Sequence, residues 1–222
     1  RDAGLQVSSL SWAGGFTGSD GRSHKECIED ALDAVRVAHD LHASCLVVHT
    51  GARAGHTHNH ARRLVKTALV EIAELARDLE VVIALEPMHP DCASEWTFLT
   101  TLAETRELLG ELNSPVLKLA LDTYHVCQDD FPCSQAINIE DIALVQLGDA
   151  RLPPQGEQNR CRLGEGTLPL ASIVANLIAA GYRGYWEIEL LGEDVETTDY
   201  DELIAQSQAM TNQWFSGARK IA

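Results

Sequence analysis

Four short apolar runs in this chain end in groups that bind cations or move protons. Leu85 is followed by Glu86-Pro87-Met88-His89-Pro90, and Leu121 by Asp122-Thr123-Tyr124-His125. Val145-Gln146-Leu147 leads into Gly148-Asp149, and Trp186-Glu187-Ile188-Glu189-Leu190 completes the series. A single carboxylate at the end of a buried strand carries little information. One on each of several successive strands carries more, because a barrel delivers the carboxyl ends of its strands to one mouth, where active sites lie. Carboxylates gathered there repel one another, and burying them unpaired is costly. A divalent cation resolves both difficulties, with negative charges from Glu86, Asp122 and Glu189 and a neutral oxygen from Gln146. His125 adds an imidazole, the side chain whose ordinary titration range suits proton transfer at neutral pH. Each residue has a plainer role open to it: a solvated strand-terminal acid, an interior amide at Gln146, a backbone cap at His125. Glu187 and Glu189 share a strand face, because side chains alternate along a strand. Glu189 is expected to ligate, being nearer the strand end, and Glu187 to stand beside it.

Those residues must be held by a regular scaffold, and the pattern supplies one. Strands are expected at Leu5–Leu10, Cys45–His49, Val81–Leu85, Val116–Leu121, Ile142–Leu147 and Tyr185–Leu190. Between them, apolar residues recur at helical spacing: Ile28, Ala31, Leu32, Val35 and Ala38 after the capping-box sequence Ser23-His24-Lys25-Glu26, then Leu64 to Leu79. Further helices are expected at Leu102–Leu112, at Thr167–Ala180 with Pro169 in its first turn, and at Tyr200–Phe215. Strands alternating with helices specify a parallel sheet, and near-continuous apolar runs such as Val81-Val82-Ile83-Ala84-Leu85 suit strands covered on both faces. His56-Thr57-His58-Asn59-His60 reads as a polar loop with one histidine, His56, leaning toward the mouth. Trp12, Gly14, Gly15 and Phe16 follow a strand and either line a substrate pocket or pack as an apolar loop.

At the strand-end residues the chain resembles the sugar-phosphate isomerase/epimerase, or xylose isomerase-like, barrel superfamily. That group includes ketose 3-epimerases, inosose isomerases and dehydratases, and hydroxypyruvate isomerases. Its pattern is Glu, then Asp-x-x-His, then His, then Glu on the last four strands. Leu85-Glu86-Pro87, Asp122-Thr123-Tyr124-His125 and Ile188-Glu189-Leu190 match it. The similarity runs from about Leu5 to the C-terminus, and the ordered set carries it rather than any one motif. The resemblance implies an α/β fold, a (β/α)8 TIM barrel lacking its first two βα units here. Residues 1–222 would form a single partial barrel domain, strands three to eight, with the rest upstream of Arg1. It implies Glu86, Asp122, Gln146 and Glu189 as metal ligands and Glu86, Glu189 and His125 as catalytic groups. It implies substrate contacts at Arg160, which precedes Leu163-Gly164-Glu165-Gly166, and at His125, His56 and Glu187. Two departures qualify it. Gln146 stands where the family has His, and its hard oxygen favours Mn, Mg or Co over Zn; this also resembles the dehydroshikimate dehydratase branch. Cys92 stands where ketose 3-epimerases carry a second catalytic Glu.

The implied activity is metal-dependent isomerisation or epimerisation of a sugar or keto-polyol, by proton transfer through a metal-stabilised enediolate. The alternatives are a dehydratase or lyase acting on a cyclic keto-polyol, and a barrel that binds without catalysis. An endonuclease IV-like enzyme shares the barrel but needs a His-rich cluster and a basic groove. The formal net charge of −16 argues against that enzyme and against nucleic acid as the partner. No apolar run is long enough to cross a membrane. Six cysteines without a paired metal-binding spacing read as reduced thiols of a cytoplasmic chain, with disulfide pairing left open. A homodimer is compatible with the family.

Overall fold

A computed structural model describes residues 4–127, 138–152 and 158–218. The chain groups into two compact units, Arg1–Ala120 and Leu121–Ala222. The first holds β1 (Leu10–Gly14), α1 (His24–Leu41), β2 (Leu46–His49), α2 (His58–Asp78), β3 (Ile83–Leu85) and α3 (Leu102–Leu112). It also holds most of β4 (Leu117–Asp122), whose last residues begin the second unit. The second unit continues with α4 (Thr123–Val126), β5 (Ile142–Leu147), α5 (Leu170–Ala179), β6 (Tyr185–Ile188), α6 (Glu193–Glu196) and α7 (Tyr200–Ala218).

In the first unit the strands are parallel and neighbours in chain order. Leu10 pairs with Leu46, Leu46 with Ile83, and Ile83 with Leu117. β2 and β3 are buried at every residue, as a sheet covered on both faces requires. One face of α1 (Ile28, Ala31, Val35) and one of α2 (Val65, Leu69, Ile72) close on Leu46, Val48, Ile83 and Leu85 to form the core. The capping box of α1 is complete: the Ser23 hydroxyl accepts from Glu26 N at 3.2 Å, and the Glu26 carboxylate accepts from Ser23 N at 2.8 Å. In the second unit β5 and β6 run parallel, Gln146 opposite Glu187. Tyr182, Trp186 and Phe215 stack edge to face, 5.2 Å apart at each step, and tie β6 to α7.

Several element limits differ from the sequence expectation. β1 begins at Leu10, not Leu5, and Leu5 is exposed. The ladder is completed beyond Leu10 because Gly14 lets the backbone pass close to β2: a Cβ there would lie 1.8 Å from the His49 carbonyl oxygen, at φ +132°. β3 begins at Ile83, because Val81 N bonds the Ala76 carbonyl (2.8 Å) and so belongs to the end of α2. Pro169 is the residue before α5 rather than within its first turn. The polar loop ends at Thr57, whose hydroxyl caps α2, so His58 and His60 lie in the first helical turn. β6 stops at Ile188 and leaves Glu189 just beyond the strand. β1 and β6 are less buried than the strands between them; among the described residues each is paired along one side. Cys27, Cys45, Cys92, Cys127 and Cys161 are all buried; Cys133 lies outside the described residues.

Candidate active site

In the second unit, β4, β5 and β6 end in the expected polar residues, and Arg160 gathers them. Asp122 closes β4 and caps α4: its Oδ1 accepts from Tyr124 N at 2.8 Å. Its Oδ2 accepts from Arg160 Nη2 in a pair with both side chains fully buried. The same Nη2 lies 3.3 Å from Glu189 Oε1 and 3.3 Å from His125 Nε2. His125, one turn after Asp122, is buried with Nε2 3.8 Å from Asp122 Oδ2. Gln146, buried on β5, donates its amide N–H to Glu189 Oε2, and its own carbonyl oxygen has no hydrogen-bond partner among the described residues. A buried amide oxygen left without a donor is costly, and a hard cation is one group that would satisfy it. The donor set of two carboxylates, an amide oxygen and an imidazole therefore fits a divalent ion.

The Arg160 side chain is held in a slot of its own. Its guanidinium lies 4.5 Å from the centroid of the Tyr124 ring. Gly148 leaves the side chain its room, since a Cβ there would come within 2.8 Å of Arg160 Nε. The Tyr124 hydroxyl accepts from Asn159 N (3.1 Å), and Arg160 N bonds the Leu191 carbonyl (2.8 Å). The Gly164-Glu165-Gly166 turn that follows does not bind through its glycines. Asp149 Oδ2 accepts from Gly164 N (2.8 Å) and Gly166 N (3.1 Å), and Oδ1 from Ala150 N (2.9 Å), so the turn is clamped to the end of β5. The burial and the Asp149 charge that come with this clamp push the Cys161 thiol up to about 11.

In the first unit Glu86 follows β3 and is buried, its Oε2 2.8 Å from His49 Nε2. The register Val48–Leu85 sets these two side by side at adjacent strand ends. The His49 ring stacks on Trp12 (5.2 Å, 24°), and Trp96 meets both edge-on at 5.4 and 5.9 Å. Trp12 keeps 44% of its surface exposed. His49 and Trp96 were not picked out by the sequence; a histidine ending the strand before Glu86 was the one available signal.

The other expected residues take these places. Glu187 is half-buried on β6 opposite Gln146. His56 is half-buried, Nε2 3.2 Å from the Thr17 carbonyl and its ring 4.7 Å from that of His60. Cys92 is buried in the short 3-10 turn Pro90–Cys92. No helix among the described residues is long and apolar enough to cross a membrane.

Comparison with known proteins agrees with this architecture. Over 116 residues the chain is 32% identical to the D-psicose 3-epimerase of Enterocloster bolteae, a stretch covering 52% of this chain and 36% of that protein. The chain thus matches little more than a third of the length of that curated relative. Among solved structures, protein SMc04130 from Sinorhizobium meliloti 1021 superposes with a TM-score of 0.86 at 28% identity, covering 96% of this chain and 80% of that one. The IOLI protein, solved with a bound zinc atom, superposes with a TM-score of 0.79 at 19% identity, covering 96% of this chain and 77% of that one, and so shares the fold. The model of the xylose isomerase-like TIM barrel family matches residues 1–214, and the chain belongs to that family.

Proposed function

We propose that the chain carries the metal-binding part of an isomerase or epimerase acting on a sugar or keto-polyol, its strands taking the places of strands three to eight of the barrel. The observation that carries this reading is the set Asp122, Gln146 and Glu189 at three successive strand ends, with the Gln146 carbonyl oxygen buried and unsatisfied. The family pattern adds Glu86 as the fourth ligand. The similarity to a D-psicose 3-epimerase supports a ketose as the substrate class.

A divalent cation bound by Glu86, Asp122, Gln146 and Glu189 would polarise a substrate carbonyl and make the neighbouring C–H acidic. The hard oxygen donors favour Mn, Mg or Co over Zn. Glu189 is the less buried of the two terminal acids and takes the proton; Glu86, held by His49, returns one. His125, His56 and Glu187 contact substrate hydroxyls. Trp12, with its exposed ring surface, offers the C–H face of a sugar an aromatic wall. Cys92 supplies no carboxylate, so proton transfer rests on Glu86 and Glu189.

The test is elemental analysis of the purified protein and its Glu86→Ala variant, followed by incubation with ketoses in heavy water. About one Mn, Mg or Co per chain, lost in the variant, with deuterium incorporated beside the carbonyl, is the expected result. Loss of water from the substrate instead identifies the dehydratase. A protein that binds no metal and exchanges no proton overturns the enzymatic reading.

A further inference from the structure

Arg160 is an expensive residue to bury. Among the described residues it is the largest fully buried side chain, and burying a guanidinium is tolerated where its charge is matched. What matches it is the cluster itself. One nitrogen, Nη2, meets Asp122 Oδ2, Glu189 Oε1 and His125 Nε2, while Nη1 lies 3.3 Å from Gln158 Oε1. The Tyr124 ring lies against the guanidinium, and Gly148 leaves room for the side chain. A residue that grips a substrate must present its donors to an open pocket; Arg160 presents them to acids of its own unit.

We infer that Arg160 is a resident counter-ion of the acid cluster, the group that assembles Asp122, Glu189 and His125 when no divalent cation is bound and against whose charge such a cation must load. Two carboxylates left without it would repel and draw apart. With it, the ligands are already gathered, and the cost falls on metal affinity, because a monovalent and a divalent cation repel at close range. Lysine would not replace it: an ammonium keeps the charge but lacks the planar fork seated over the Tyr124 ring. Arg160 is thus a positioning residue. The assembly half of the inference stands on the chain's own contacts; only the loading half rests on the proposed metal site.

The experiment uses the full chain after dialysis against a chelator, comparing wild type with Arg160→Met, Asp122→Asn and the double variant. Each single change is expected to lower the melting temperature by roughly 10 °C, and the double variant to fall well short of the sum, because each removes the other's buried partner. Arg160→Lys should lie between wild type and Arg160→Met. In calorimetric titration with Mn, Arg160→Met should bind about tenfold more tightly than wild type, with its melting temperature restored by the ion. Additive losses, or an Arg160→Met variant that melts with the wild type and loses only ketose affinity, overturn the inference and return Arg160 to substrate binding. If Arg160→Met does not fold, Arg160→Lys combined with Asp122→Asn provides the same cycle, and additivity there overturns it equally. Wild type that takes up no Mn sinks the metal-site reading, while the coupling in chelator still decides the assembly half.

Discussion

At Gln146 a neutral carbonyl oxygen stands where the family carries an imidazole, and the difference should be measurable as metal preference. A hard oxygen suits Mn and Mg; a nitrogen donor suits Zn. Gln146→His is expected to raise the Zn-to-Mn ratio bound from an equimolar mixture by about tenfold, read by elemental analysis; an unchanged ratio would place Gln146 outside the ligand set. His49 makes a second test. It orients Glu86 through a buried 2.8 Å bond. Partners of this kind typically cost about 10–100-fold in metal affinity when removed. His49→Ala should lose that much by calorimetry, and His49→Gln, which keeps a donor, should recover part of it; equal losses would mean that packing against Trp12 and Trp96 is what matters. The contrast between Gln146 and His49 shows what was legible. Residue type at a strand end is visible in the sequence, so the acids and Gln146 stand out there. Which strand-end residues become neighbours depends on register, so the His49–Glu86 pair does not. Arg160 stands out by its motif, but its burial against Asp122 depends on a turn that no local pattern specifies.

The elements repeat this lesson. Helices were read correctly where a cap and a period agree, as at Ser23–Glu26 and the apolar stripe of α1. Limits slipped where a tertiary bond decides them, as at Val81, which the end of α2 claims by bonding Ala76. The turn after β5 is the least legible case, because its Gly-x-Gly resembles a ligand loop yet serves an internal anion. Asp149 accepts from Ala150, Gly164 and Gly166, and Gly166 has no room for a side chain: a Cβ would sit 2.0 Å from Asp149 Oδ1. Asp149→Ala leaves the Ala150, Gly164 and Gly166 amides without their acceptor. It should destabilise by about 3 kcal/mol, a fall in melting temperature of roughly 6–12 °C. Gly166→Ala should do similar damage through collision with the same carboxylate. Because the turn leads from Arg160 to α5, both changes should also weaken Mn binding. An Asp149→Ala protein with wild-type stability would show that water replaces the carboxylate at no cost.

For the whole molecule the governing quantity is charge. The chain carries 33 acidic and 17 basic side chains, a formal net charge of −16. Some of this is locally compensated: Arg22 lies between Asp20 and Asp30, and Arg62 and Lys66 share Glu111. These pairs are exposed or partly so, and each contributes little. The uncompensated excess repels itself throughout the folded chain, an effect that salt screens as the Debye length falls from about 30 Å at 0.01 M to 10 Å at 0.1 M. Screening acts on attraction and repulsion alike, and here repulsion outnumbers attraction. Raising KCl from about 0.01 to 0.3 M should therefore raise the melting temperature by about 2–4 °C, the shift that roughly 1 kcal/mol produces in a chain of this size. A divalent ion seated at the strand ends must behave differently. Mn at about 50 μM changes ionic strength negligibly, yet stabilises according to its ratio to the dissociation constant. Its effect should persist in about 0.3 M KCl and disappear in Gln146→Ala or Glu86→Ala. If KCl abolishes the Mn effect, or both variants retain it, the ion is condensing on an acidic surface and not occupying a site.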